Sequence, residues 1–189
     1  MQNLLAELTS GDDLRAENVI PAIVELEAAV TPALLDLTHA DDADSRWWAV
    51  RALAALPNTR PDDLIPLLGD SAPEVRSAAA LALCNHPHES AVGALINSLA
   101  DSDPLTAGLA ANALAKIGSP AVPNLLEVME SALTSIHTRI VALRALSEIG
   151  DHRAIPIMMK CLDGESAILQ YWAQEGLNRL GLNMVYVKP

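Results

Sequence analysis

Small and apolar residues recur along the chain in a unit of about 31 residues. Leu53, Leu83, Leu114, Leu146 and Leu177 stand 30, 31, 32 and 31 residues apart, and Ile23 lies 30 residues before Leu53. Taking these as index positions, the preceding residue is Ala22, Ala52, Ala82, Ala113, Ala145 and Gly176, and four before the index stand Val19, Ala49, Ala79, Ala110, Ala142 and Ala173. Apolar or small residues at −8, −5, −4, −1, 0 and +3 follow the 3.6-residue period of one helix face. Each copy therefore predicts a helix, here termed B. At +4 come Pro57, Pro87, Gly118, Gly150 and Gly181, residues that end helices. Ahead of each B helix a shorter apolar segment predicts a helix A: Pro32 to Leu37, Leu64 to Leu68, Val92 to Leu99, Val122 to Met129 and Ile155 to Leu162. Polar turns join A to B, as in Asp41-Asp42-Ala43-Asp44, Asp70-Ser71-Ala72-Pro73, Asp101-Ser102-Asp103-Pro104 and Asp163-Gly164-Glu165-Ser166, and their oxygens can cap the helix that follows.

A helix pair this short cannot cover its own apolar face, so successive pairs must stack. The expected fold is all-α, an α-solenoid of about six helix-pair repeats. A single repeat domain is expected over 1–181, with 1–29 a degenerate capping unit carrying Pro21 in its B helix, 30–181 five regular units, and 182–189 a tail.

The clearest copy runs from Asp70 through Glu74, Val75, Arg76, Ala79, Ala82 and Leu83 to the stop at Pro87. It resembles the short HEAT-like repeat named after phycobilisome (bilin) lyases, and the resemblance extends over roughly residues 16 to 181. That family holds scaffold and adaptor proteins as well as lyase subunits, so the resemblance implies a repeat class more than an activity. It also implies that an Arg at −7 pairs with an Asp of an inter-helix turn, forming a ladder between units. Arg46, Arg76 and Arg139 keep this pattern, whereas Ala107 and Gln170 break it, which predicts looser packing in the fourth and sixth units.

Composition narrows the chemistry. The chain is 51% apolar but only 3% aromatic, with no Phe, so the core must be built of Ala, Leu, Ile and Val. Twelve basic against 24 acidic residues give a formal charge of −12, a poor match for phosphate backbones, and no nucleic-acid partner is expected. No apolar stretch is long enough to span a bilayer and no secretory signal precedes the first unit, so no membrane association and a cytoplasmic location are expected. Cys84 and Cys161 are isolated and expected to be reduced. The only close histidine pair, His86-Pro87-His88 with Glu89, reads as an exposed loop. No phosphate loop, nucleophile elbow or acid–base pair is present, so no catalytic residue, metal or cofactor is expected.

At about 100° per residue, positions −9, −6, −2 and +2 of each B helix point away from the core. In solenoids of this class the B helices line the concave face. That face carries Trp47, Arg51, Leu81, Leu105, Ile140, Arg144, Ile168, Tyr171 and Glu175, the residues expected to bind a partner. Large apolar groups where solvated ones are expected mark interaction surfaces. Trp47-Trp48 and Tyr171-Trp172 repeat at −6 and −5 of the second and sixth units, with Trp48 and Trp172 expected to flank the core. The expected function is a non-enzymatic scaffold or adaptor that holds a peptide, helix or protein surface in a concave groove. The alternative that the resemblance implies is a bilin lyase-like subunit handling a linear tetrapyrrole on a phycobiliprotein, for which Arg51, Arg144 and Arg179 could meet the propionates. The sequence leaves the oligomeric state open.

Overall fold

A computed structural model describes residues 1–164 and 166–182; the expected tail beyond Leu182 and Glu165 of the last turn lie outside the described residues. Among the described residues there are twelve α-helices and no strand. They gather into two compact units, one ending at His86 and the other beginning at Pro87.

The first unit comprises α1 (Gln2–Leu8), α2 (Asp13–Leu26), α3 (Thr31–Leu37), α4 (Ala43–Ala55), α5 (Pro61–Leu64) and α6 (Pro73–Asn85). Here α1 packs on α2 and α3 on α4, and the B helices α2, α4 and α6 pack side by side in chain order. The third A element splits into α5 and a 3-10 turn, Ile65–Gly69. Pro66 explains the break, because its nitrogen cannot donate into an α-helix and its ring crowds the preceding turn.

The second unit comprises α7 (Val92–Ser98), α8 (Pro104–Ile117), α9 (Val122–Glu130), α10 (Ile136–Ile149), α11 (Ile155–Leu162) and α12 (Ala167–Arg179). Each A helix packs on the B helix that follows it, and α10 lies between α8 and α12. One-turn 3-10 segments, Glu89–Ala91, Ser119–Ala121 and His152–Ala154, lead into α7, α9 and α11.

The boundaries follow local chemistry. Asp42 accepts from the Ser45 amide at 2.7 Å, Asp103 from Leu105 and Thr106, and Ser135 from Thr138, each satisfying orphan donors at the start of a B helix. Gly118 and Gly150 close α8 and α10 with φ of 81° and 66°, a conformation that costs a residue with a Cβ.

All six index residues are fully buried, as are the alanines at −4 in the five regular pairs. Two parts of the expected core differ. Position −3 is also inside, with Val50, Ala80, Ala111 and Leu143 fully buried, while Ile117 and Ile149 at +3 are only half-buried. A B helix flanked by B helices as well as by its own A helix buries a wider arc than a one-sided stripe. In α2 the buried set is Ala16, Ile20 and Ile23, which leaves Val19 and Ala22 half-buried.

The arginine ladder is present at Arg46. Its guanidinium grips Asp70 with two bonds of 2.8 Å and also donates to the Ala40 and Asp41 carbonyls. Hydrogen bonding from Arg46 holds the Asp70 carboxyl below the usual carboxylate range. Arg76 donates to the Asp70 carbonyl at 2.9 Å. Where the pattern breaks at Gln170, the side-chain amide donates to the Leu162 and Gly164 carbonyls, so the last turn keeps its backbone contacts without the charge.

Candidate functional site

The sequence-derived binding positions fall on the exposed sides of B helices in both units. In the first unit, Leu81 on α6 is 51% exposed, while Trp47 and Arg51 on α4 are half-buried. Trp47 stands edge-to-face with Trp48, ring centroids 4.7 Å apart at 89°, and Trp48 is in the core at 3% exposure. Arg51 donates to Glu17 on α2, so its charge is answered within the chain. Ser77, at the same −6 position as Trp47, is not outward as expected. It is buried, and its hydroxyl donates to the Glu74 carbonyl at 3.0 Å, which removes any need for water.

In the second unit, Leu105 on α8 and Tyr171 on α12 are about 60% exposed, Ile168 on α12 is exposed and Ile140 on α10 is half-buried. These four come from three neighbouring helices. Tyr171 and Trp172 repeat the edge-to-face contact, at 5.1 Å and 74°. Arg144 crosses from α10 to α8, donating to the Gly108 carbonyl at 2.7 Å and to Asn112 Oδ1 at 2.8 Å. A Cβ at Gly108 would sit 4.0 Å from the guanidinium, an ordinary van der Waals distance, so the crossing does not depend on glycine at that position. Glu175 accepts from Arg179 at 3.1 Å. Leu105, Ile168 and Tyr171 therefore face solvent, and Arg144 and Glu175 are paired within the chain.

A groove of about 530 Å³ lies in the first unit, lined by Trp47, Trp48 and Ala43 together with Asp13, Glu17, Asp44 and Glu74. The sequence reading singled out Trp47 but not the carboxylates around it. Glu17 occupies the −6 position of the degenerate first pair, so carrying the column back one repeat is the signal that finds it.

The other candidates for chemistry have structural partners. His86 lies 3.2 Å from the Ala54 carbonyl through Nε2, which must be the protonated nitrogen because a carbonyl only accepts, and His88 caps the turn at Ser90 through Nδ1. Burial pushes the Cys161 thiol up, away from the reactive thiolate. Among the described residues no three His, Cys, Asp or Glu side chains come together in a way that could hold a metal ion, and no single helix is long and apolar enough to cross a membrane.

Comparison with known proteins agrees with this architecture. The HEAT repeats family matches residues 61–136, and the PBS lyase HEAT-like repeat matches residues 138–164. An uncharacterized phycocyanin operon protein Z from Pseudanabaena tenuis is 28% identical over 150 residues, 75% of this chain and 74% of that protein. Among solved structures, the complex of CpcE and CpcF of phycocyanin lyase from Nostoc sp. PCC7120 is similar at 25% identity and a TM-score of 0.60, covering 76% of this chain and 96% of that one. A designed armadillo repeat protein in complex with a (KR)4 peptide is similar at a TM-score of 0.55 over 94% of this chain and 98% of its own, and at 16% identity that likeness concerns the fold. Repeat length, the alanine columns, the Arg46–Asp70 rung and these matches lead to one assignment: the chain is an all-α HEAT-repeat protein, with a repeat of the PBS lyase HEAT-like kind matched over residues 138–164.

Proposed function

We propose that the chain is a non-enzymatic protein-interaction module that docks a peptide, helix or protein surface on the outward sides of its B helices. The observation that carries this reading is the apolar strip of the second unit. Leu105, Ile168 and Tyr171 are exposed on a face that would otherwise be solvated, and α10 between their helices adds Ile140. Apolar and aromatic anchors of this kind supply most of the affinity at interfaces, while paired charges such as Arg144 and Glu175 set orientation. The test is affinity capture from the native cell with the parent chain and with Leu105→Asp and Tyr171→Asp. Both variants should keep parental helicity and melting, because neither side chain contributes to the core, and both should lose the captured partner. Capture at parental levels by both variants would contradict the reading.

A second reading, a bilin lyase-like subunit, is favoured by the PBS lyase HEAT-like match and by the similarity to the phycocyanin operon protein and to the CpcE and CpcF complex. Against it stands the state of the three arginines suited to propionates. Arg51 is held by Glu17, Arg144 by Gly108 and Asn112, and Arg179 by Glu175. Incubation with a linear tetrapyrrole separates the two readings: a red-shifted, protein-bound absorbance supports the lyase-like role, and an unshifted spectrum supports the interaction module.

A further inference from the structure

The groove of the first unit is lined by both apolar and acidic residues. Trp47, Trp48 and Ala43 come from α4, Asp13 and Glu17 from α2, Asp44 from α4 and Glu74 from α6. Only Glu17 has a cation, Arg51, and among the described residues Asp13, Asp44 and Glu74 have none. All three stand in the first turn of their helices, where the helix dipole accounts for a carboxylate being tolerated. It does not account for an aromatic groove between them that no side chain of the described residues fills.

The chemistry of the lining selects the occupant. Indole faces attract cations, the carboxylates of the lining add charge, and among the described residues no three of them gather as a metal ion would need. A planar, delocalised cation satisfies both features, since a guanidinium stacks on aromatic rings while its edge N–H groups fork towards carboxylates; the compact, strongly hydrated ammonium of lysine does this less well. The groove also exceeds what one side chain needs, leaving space for the flanking backbone of a peptide. Anions, including tetrapyrrole propionates, are repelled here.

We propose that this groove receives an arginine side chain from a basic, extended segment of a partner protein. The proposal rests on the interaction reading above and adds a second contact point to it. Binding takes place with the guanidinium against the exposed part of Trp47 and its N–H groups donating to Asp44 and Glu74.

The test uses the full chain and the peptide acetyl-Gly-Arg-Gly-Arg-Gly-amide at about 0.15 M salt, where long-range attraction between exposed charges is largely screened. The indole N–H resonances of Trp47 and Trp48, assigned with Trp47→Phe, should shift saturably. The lysine counterpart should bind more weakly and the glutamate counterpart should leave both resonances in place. An Asp44→Asn, Glu74→Gln double variant, which preserves shape and fold, should weaken arginine binding about tenfold, a loss within the range of desolvated cation recognition. Static resonances, or unchanged affinity in the double variant, would overturn the proposal. Spermine shifting the same resonances at lower concentration than the peptide would overturn it in favour of a free polyamine. Tyr171→Asp should bind the peptide as the parent does. If the peptide fails while partner capture still depends on Tyr171, the groove proposal falls and the interaction reading stands; if the peptide binds and capture ignores Tyr171, the groove stands and the second-unit surface falls.

Discussion

Gly176 occupies a position where four of the other pairs have a buried alanine, and the packing explains the exception. A Cβ there would meet Met158 Cε at 2.6 Å and the Ser147 Cα at 3.2 Å. The long Met158 side chain takes up the volume that an alanine methyl fills elsewhere in the column. Replacing Gly176 by Ala gains about 1 kcal/mol of helix propensity, but overpacking costs about 1–3 kcal/mol. The flexible Met158 tip can yield; the Ser147 backbone cannot. The expected outcome is a net loss, read as a lower urea midpoint for Gly176→Ala than for the parent. At this scale the alanine columns were legible because they repeat. The compensation by Met158 was not, since it pairs residues 18 apart that no repeat position links. Ser77 was misplaced for a related reason: a serine that donates to its own helix carbonyl can be buried without any sequence sign of it.

Helix limits follow rules that act over a few residues, and they were legible for the B helices of the regular pairs. Even so, α6 and α12 start without the side-chain cap expected from their turns, and the third A element is split. The Asp and Ser caps and the Gly and Pro stops fall within a residue or two of the observed ends. The 3-10 segments ahead of the A helices were missed, because they differ from helix only in the reach of each bond. The register of α2 was also missed, since its pattern of Ala16, Ile20 and Ile23 is offset from the regular pairs. Two predictions belong to this scale. Ala79→Leu and Ala110→Leu, at fully buried −4 positions, should each lose about 1–3 kcal/mol by overpacking between helices. Equal melting temperatures for both variants and the parent would mean the register is wrong. The Arg46–Asp70 rung gives a pH dependence. Asp70 titrates lower folded than unfolded, so its stabilisation is present above the ordinary Asp value of about 4 and is lost as pH falls through the depressed folded value. The melting-temperature difference between the parent and Asp70→Asn should be largest near neutrality and close on acidification. A difference independent of pH would show that the rung acts through shape alone.

The repeat periodicity made the all-α architecture legible across the described residues, since Ile23 and the five index leucines are all fully buried. The division of the chain between His86 and Pro87 left no mark in the sequence, because Pro87 reads as a stop like Pro57. The exposed column was legible in outline: Leu105 and Tyr171 are outward as expected, yet the arginines beside it are tied by partners that only tertiary packing brings near, such as Glu17 for Arg51, 34 residues away. The acidic groove was out of reach for the same reason, being assembled from α2, α4 and α6. The central claim is that B helices, rather than A helices or turns, carry recognition. Amide hydrogen exchange of the captured complex against the free chain tests it directly. New protection is predicted in 104–117, 136–149 and 167–179, at backbone near Leu105, Ile140 and Tyr171; protection confined to the A helices 92–98, 122–130 and 155–162 would contradict it.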